Sequence, residues 1–178
     1  MTKLLLLDRD GTITQNRVRP GDYINDPNEI ELIPGVLERL EQYNRDGWTI
    51  VVVSNQGGVE KGFITLEQCI EGFKRTIELS EGLIKFCLFC PEAYPALGSH
   101  CYKVAPPERL EQFWPSDLDA YRLGWDGFRK PYPDMLVLAQ CLTGADEVLM
   151  VGDRDEDQKS ATYANVPFQW AEEWRTGK

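Results

Sequence analysis

Two aspartates one residue apart, Asp8 and Asp10, close a run of four leucines in "LLLLDRDGT", Leu4 to Thr12. A deeply buried strand ends in a turn, and a turn uses Asp and Gly to satisfy its own backbone. The pair therefore gains chemical meaning only from residues elsewhere. "SNQGG" (Ser54 to Gly58) follows a second apolar run, "GDRDED" (Gly152 to Asp157) follows a third, and Lys130 stands between Arg129 and Pro131. Carboxylates gathered from separate strand ends suit a hard cation such as Mg²⁺, which takes one or two carboxylates together with water and phosphate oxygens. A hydroxyl and a lysine beside them suit a transferring phosphoryl group. The chemistry indicated is phosphoryl transfer.

For these residues to meet, the runs before them must be strands of one sheet. Lys3 to Asp8, Trp48 to Ser54, Ile84 to Phe89 and Val148 to Val151 read as buried strands, with Val166 to Trp170 as a short fifth. Continuous apolar runs predict burial on both faces, and hence a mainly parallel sheet. Between the first two, Val36, Leu37, Leu40 and Tyr43 have helical spacing after Pro34 and before Gly47. Thr65 and Gln68 form a capping box ahead of the stripe Leu66, Cys69, Ile70, Phe73 and Ile77, which Gly82 stops. Pro133 to Leu142 reads as a third helix with proline in its first turn. The alternation predicts an α/β fold, a Rossmann-like three-layer sandwich, with ligands beyond the carboxyl ends of the strands.

A chain of 178 residues holds one domain with a sizeable core, so 1–178 reads as a single domain. Its irregular part is 91–130, too long for an ordinary connection: either Phe113, Trp114, Tyr121, Trp125 and Phe128 pack the segment onto the core, or it is a functional flap that covers the open site. Neither a signal peptide nor a membrane span fits the N-terminal sequence, and a cytoplasmic monomer is expected. Five cysteines, an odd number, read as reduced thiols rather than a disulfide framework. The net charge of −10 argues against a broad nucleic-acid-binding face. An anionic substrate remains compatible with it, if a metal ion and a few cations reverse the field locally.

The ordered set, "DRDGT", Ser54, Lys130 and "GDRDED", resembles the four motifs of the haloacid dehalogenase (HAD) superfamily and spans most of the chain. The resemblance implies that Asp8 is a nucleophile forming an aspartyl-phosphate, and that Asp10 protonates the leaving oxygen and then activates water. Ser54 and Lys130 would bind the phosphoryl group, and backbone amides around Arg9, Asp10 and Gly11 would cradle its oxygens. Mg²⁺ would be held by Asp8, Asp153 and the Asp10 carbonyl. Asp157 either supports the metal site or Lys130, or is a helix-start acid facing the macrodipole. Relatives that cleave carbon–halogen bonds lack the second aspartate, so Asp10 points to a phosphatase or mutase.

Only about twenty residues separate Thr12 from the first helix, too few for a packed cap domain, so the chain resembles the capless branch. Within it, "DYINDPNEIELIPGV" (Asp22 to Val36), "SNQGGVEKGFIT" (Ser54 to Thr65) and "RKPYPDM" (Arg129 to Met135) look most like the heptose-bisphosphate and histidinol-phosphate phosphatases. That likeness implies a small sugar or polyol phosphate as substrate, with Arg129 and Asn55 among the groups that bind it. Those relatives carry a zinc loop, whereas here Glu92 and Lys103 stand where His and Cys are expected; Cys87, Cys90, His100 and Cys101 are the residues left to hold zinc. The competing capless relative is the polynucleotide 3′-phosphatase domain, for which Trp114 or Trp125 would stack on a base. A phosphomutase and a catalytically silent binding protein are the remaining readings. His100 lacks the partners of a triad base and reads as a loop contact, while Arg17 and Arg19 either reach a second anionic group or lie on the surface.

Overall fold

Leu4 to Leu7 are fully buried, and their side chains alternate: Leu5 and Leu7 enter one core cluster, Leu4 and Leu6 the other. That alternation marks a strand covered on both faces. In the computed structural model, which describes residues 1–94, 98–107, 109–114 and 127–177, the elements run β1 (Lys3–Leu7), β2 (Thr14–Asn16), β3 (Ile30–Leu32), α1 (Val36–Arg45), β4 (Trp48–Asn55), α2 (Leu66–Leu79), β5 (Ile84–Cys90), β6 (Cys101–Ala105), β7 (Arg109–Phe113), α3 (Asp134–Thr143), β8 (Glu147–Gly152), α4 (Asp155–Tyr163), β9 (Phe168–Trp170) and α5 (Ala171–Thr176). The main sheet has the order β7-β6-β5-β4-β1-β8-β9. From β5 to β9 every pair is parallel, and β5-β6 and β6-β7 are antiparallel.

The two core clusters define the layers. One holds Val36 and Leu40 of α1, Cys69, Phe73 and Ile77 of α2, and Trp174 of α5. The other holds Met135, Leu136, Leu138 and Ala139 of α3 with Ala161 of α4. Helix α2 starts where its sequence requires: Thr65 Oγ1 accepts from the Gln68 N–H at 3.1 Å, and Gln68 Oε1 accepts from the Thr65 N–H at 2.8 Å. Its stripe then lays Phe73 against Phe89 of β5, ring centroids 4.8 Å apart. Burial of a side chain of this size stabilises the fold by about 1.5–3 kcal/mol.

The predicted strands and helices are present, with β9 beginning at Phe168 rather than Val166. The segment 91–130 departs from expectation, because it contains the hairpin β6-β7, which extends the sheet at one edge. Within it Phe128 is fully buried, Phe113 is half-buried, and Trp114 is exposed and stacked on His100. Tyr121 and Trp125 lie outside the described residues. No helix among the described residues is long and apolar enough to cross a membrane.

Candidate active site

The chain leaves β1 for β4 on one side and later returns to β8 on the other, so the carboxyl ends of these three strands flank one crevice. Two glycines allow the close approach there. A Cβ on Gly152 would lie 2.4 Å from the Cβ of Asp157, which folds back from α4 over the end of β8. Gly11 has φ +87°, and a Cβ on it would lie 2.4 Å from Asp153 Oδ2. The crevice opens into a cavity of about 530 Å³ that reaches Asp8, Asp10, Ser54, Lys130, Asp153 and Asp157.

Lys130 lies at the floor. Its Nζ donates to Asp8 Oδ1 at 2.7 Å and to the Val53 carbonyl at 2.8 Å, and pairs with Asp157 Oδ1 at 2.6 Å. Lys130 and Asp157 are each 2% exposed and Asp8 is 7% exposed. Burial pushes the Asp8 carboxyl up to about 7 against the pull of Lys130, with Asp157 adding to the rise. Burial also disfavours the Lys130 charge, but Asp157 and Asp8 together hold its pKa above the usual lysine range. Thr12 Oγ1 bridges Asp8 Oδ2 at 3.4 Å and Asp153 Oδ1 at 3.3 Å.

Asp10, two residues along, sits in a different field. Arg9 donates from Nε to Asp10 Oδ1 at 3.0 Å and from Nη2 to Oδ2 at 2.9 Å; Gln56 Nε2 donates to Oδ2 at 2.7 Å and Thr14 Oγ1 to Oδ1 at 3.3 Å. Burial would raise the Asp10 pKa, but Arg9 and these hydrogen bonds hold it below the usual carboxylate range. Arg9 is itself buried and lies over the Phe73 ring at 4.3 Å. Gln56 Nε2 also donates to Ser54 Oγ at 2.9 Å, tying the end of β4 to the acid/base candidate.

The donor set fits a divalent cation. Oxygens of Asp8, Asp153 and Asp157 lie within 4.8 Å of one another, and Lys130 is the cation in contact with the cluster among the described residues. Burial and Asp157 both raise the pKa of Asp153, as expected of a carboxylate crowded by others. Asp157 gives one oxygen to Lys130 and the other to the Arg154 N–H at 3.1 Å. Asp8 and Asp153 therefore have the most capacity left for a metal. The Asp10 side chain is committed to Arg9 and Gln56, so a metal contact from this residue falls to its carbonyl.

Other expected residues are placed with different emphasis. Asn55 spends both ends of its side chain on the backbone of Lys130, donating to its carbonyl and accepting from its N–H, each at 2.9 Å. It positions Lys130 and also lines the cavity. The Gly11 N–H donates to the Thr14 carbonyl at 2.9 Å and the buried Arg9 side chain lies over Phe73, so of the expected cradle the Gly11 amide and the Arg9 side chain are engaged within the protein. Arg129 does reach the cavity, with Nη1 donating to the Glu92 carbonyl at 2.6 Å and Nε buried without a partner among the described residues.

The four candidate zinc ligands do not converge. Residues three apart on a strand face opposite sides, and Cys87 enters one core cluster while Cys90 and Cys101 enter the other. Glu92 instead joins the neighbours: Cys90 Sγ donates to its Oε2 at 2.9 Å, and His100 contacts Oε1 through Nδ1 and, at 3.2 Å, through its backbone N–H. His100 is thus a loop contact. Sequence reasoning missed Gln56, Thr14 and the rim residues Tyr23, Lys61, Phe63 and Arg154. The signal for Gln56 was its place directly after Ser54 and Asn55 at a strand end.

The model of the family described as polynucleotide kinase 3 phosphatase matches residues 3–174. The D-glycero-beta-D-manno-heptose-1,7-bisphosphate 7-phosphatase of Mesorhizobium japonicum is 31% identical over 171 residues, 93% of this chain and 67% of that protein. The Pseudomonas putida protein of the same name is 33% identical over 107 residues, 58% of this chain and 59% of that protein. Among solved structures, D,D-heptose 1,7-bisphosphate phosphatase from B. bronchiseptica, complexed with magnesium and phosphate, superposes with a TM-score of 0.66 at 21% identity, covering 94% of this chain and 79% of that one. That likeness concerns the fold. A structure described as a putative HAD-like phosphatase from Mesorhizobium loti is 30% identical, with a TM-score of 0.65 over 93% of this chain and 69% of that one. With residues 3–174 matched, the chain belongs to the family described as polynucleotide kinase 3 phosphatase, among the HAD-like phosphatases.

Proposed function

We propose that the protein is a Mg²⁺-dependent phosphomonoesterase that works through an aspartyl-phosphate on a small sugar or polyol phosphate. The observation that carries this reading is the triple contact of Lys130 with Asp8, Asp157 and the Val53 carbonyl at the floor of an open cavity, with Asp153 beside it. An Asp8 oxygen attacks phosphorus, the P–O ester bond breaks, and Asp10 gives its proton to the departing alkoxide. Water then attacks the phosphoryl group, Asp10 takes the water's proton, and inorganic phosphate leaves with Asp8 restored. Lys130 and Ser54 hold the phosphoryl oxygens. Bound at Asp8, Asp153 and the Asp10 carbonyl, Mg²⁺ would neutralise charge on the transferring group.

Proton donation requires Asp10 to carry a proton that its Arg9 and Gln56 contacts disfavour, so these contacts must weaken once substrate arrives. The Arg129 guanidinium, with a donor left over, and the cations Lys61 and Arg154 on the cavity wall support a substrate bearing a second anionic group. Heptose bisphosphate, named for the relatives above, has this character. The family description supports a second reading, a nucleic-acid 3′-phosphate as substrate. Tyr23 and Phe63, 80% and 67% exposed at the cavity rim, would offer rings to a base.

Phosphate release with Mg²⁺ from sugar mono- and bisphosphates, histidinol phosphate and oligonucleotides ending in 3′-phosphate tests both readings, with Asp8→Asn as blank. Selective turnover of a sugar phosphate is the expected result. Preference for the oligonucleotide would transfer the assignment to the second reading, and turnover that survives in Asp8→Asn would remove Asp8 as nucleophile.

A further inference from the structure

The penultimate residue of helix α5, Arg175, touches the turn after β1 from behind. Arg175 Nη1 donates to the carbonyl of Gly11 at 3.0 Å and to the carbonyl of Thr12 at 2.7 Å. The helix is anchored: Trp174 is fully buried in the core beside Tyr43, and Arg39 lies over both rings. The guanidinium therefore works from a fixed base.

The same two residues face the reactive groups on their other side. Gly11 lies so close to Asp153 that no Cβ fits, and the Thr12 hydroxyl spans Asp8 and Asp153. A peptide unit is planar and trans, so a carbonyl fixed in direction fixes the following N–H in the opposite one. Holding the Thr12 carbonyl aims the Ile13 N–H, which donates to the Arg9 carbonyl at 2.9 Å, as does the Thr14 N–H. The turn Arg9 to Thr14 is thus closed from inside by its own bonds and braced from outside by Arg175.

We infer that Arg175 is a positioning residue, which sets the separation of Asp8 and Asp153 by holding the Gly11 and Thr12 carbonyls. The inference rests on the phosphatase reading for its kinetic consequence and on the turn geometry alone for its structural one. Small misplacement of reacting groups is costly, on the order of 10- to 100-fold in rate. Both bonds leave one guanidinium nitrogen, so a lysine reproduces them only as far as its shorter side chain reaches.

The test compares the full-length protein with Arg175→Ala and Arg175→Lys. Hydrogen exchange at the Ile13 and Thr14 amides is expected to quicken about tenfold or more in Arg175→Ala, with β1 and β4 protected as before. Phosphate release should fall by ~10-fold or more in kcat with KM little changed, Arg175→Lys should be intermediate, and free guanidinium at sub-denaturing concentration should restore part of the loss. Unchanged exchange overturns the brace, and quickened exchange with unchanged kcat overturns its catalytic consequence. If the wild-type protein releases no phosphate from any substrate while exchange still responds, the phosphatase reading fails and the brace stands. Should Arg175→Ala not fold, Arg175→Lys carries both measurements, and wild-type exchange with wild-type kcat in that variant overturns the inference.

Discussion

Two clusters on this molecule pair carboxylates with other polar side chains, and they are assembled in opposite ways. Around Asp8 the partner is 122 residues away, delivered by the approach to α3 and buried at the ends of parallel strands. Around Glu92 the partners are two and eight residues away, beside the antiparallel edge. The first cluster exists only if the whole sheet forms, and its charges lie where water does not compensate a lost partner. The second is local and partly wet. The difference teaches where the fold concentrates its electrostatic stakes: the same residue types carry a large energy in one place and a small one in the other.

The largest effect that would sharpen this contrast is on stability. Lys130→Ala leaves Asp8 and Asp157 buried without their cation and should destabilise the fold by about 3–5 kcal/mol, read from urea unfolding. A loss no larger than that of a surface substitution would break the comparison.

A pH effect comes next. In chelator, Asp8 ionises near pH 7 in the folded protein but near pH 4 in the unfolded chain, so the stability it lends is full below about pH 4 and is lost as pH rises through about 7. Asp8→Asn has no such loss. Its Tm relative to wild type should therefore climb between pH 4 and pH 8, by at least the ~2–4 °C that 1 kcal/mol moves a chain of this length. A flat difference across that range would show that Asp8 is already balanced without metal.

The smallest effect belongs to the other cluster. Glu92→Gln keeps the shape but loses the charge, and should cost about 1 kcal/mol with phosphate release nearly intact. A large kinetic loss would mean that the Glu92 turn governs Arg129 through more than its carbonyl.

The parallel half of the fold was legible because its strands are continuous apolar runs and its helices carry stripes and a capping box. Thr65 with Gln68 and the Asp8 to Thr12 motif each translated directly into geometry. The edge hairpin was not legible, since Arg109 to Phe113 alternates weakly and has no residue fully buried. The three-residue strands β2 and β3 were too short to show a period. Asp8, Asp10, Ser54, Lys130 and Asp153 were named from their motifs, and the structure brings all of them to one cavity. The contact of the Asn55 amide with the Lys130 backbone was not legible, because spacing along the chain does not reveal it. Arg175 left no signal at all: its two acceptors are carbonyls, which every residue has.

The placement of Arg9 has a consequence for how such chains vary. Its guanidinium is fixed over Phe73 by Asp10 and Gln56, and a Cβ on Gly72 of α2 would approach Arg9 Nη1 to 3.2 Å and Ile30 Cδ1 to 3.3 Å, forcing each to give by a few tenths of an ångström. A helix-interior glycine, which ordinarily costs about 1 kcal/mol relative to alanine, here leaves room for side chains of two other segments, Arg9 and Ile30. Among homologous sequences position 72 should vary with its two neighbours: alanine there requires both the arginine at position 9 and the side chain at position 30 to give way or be smaller.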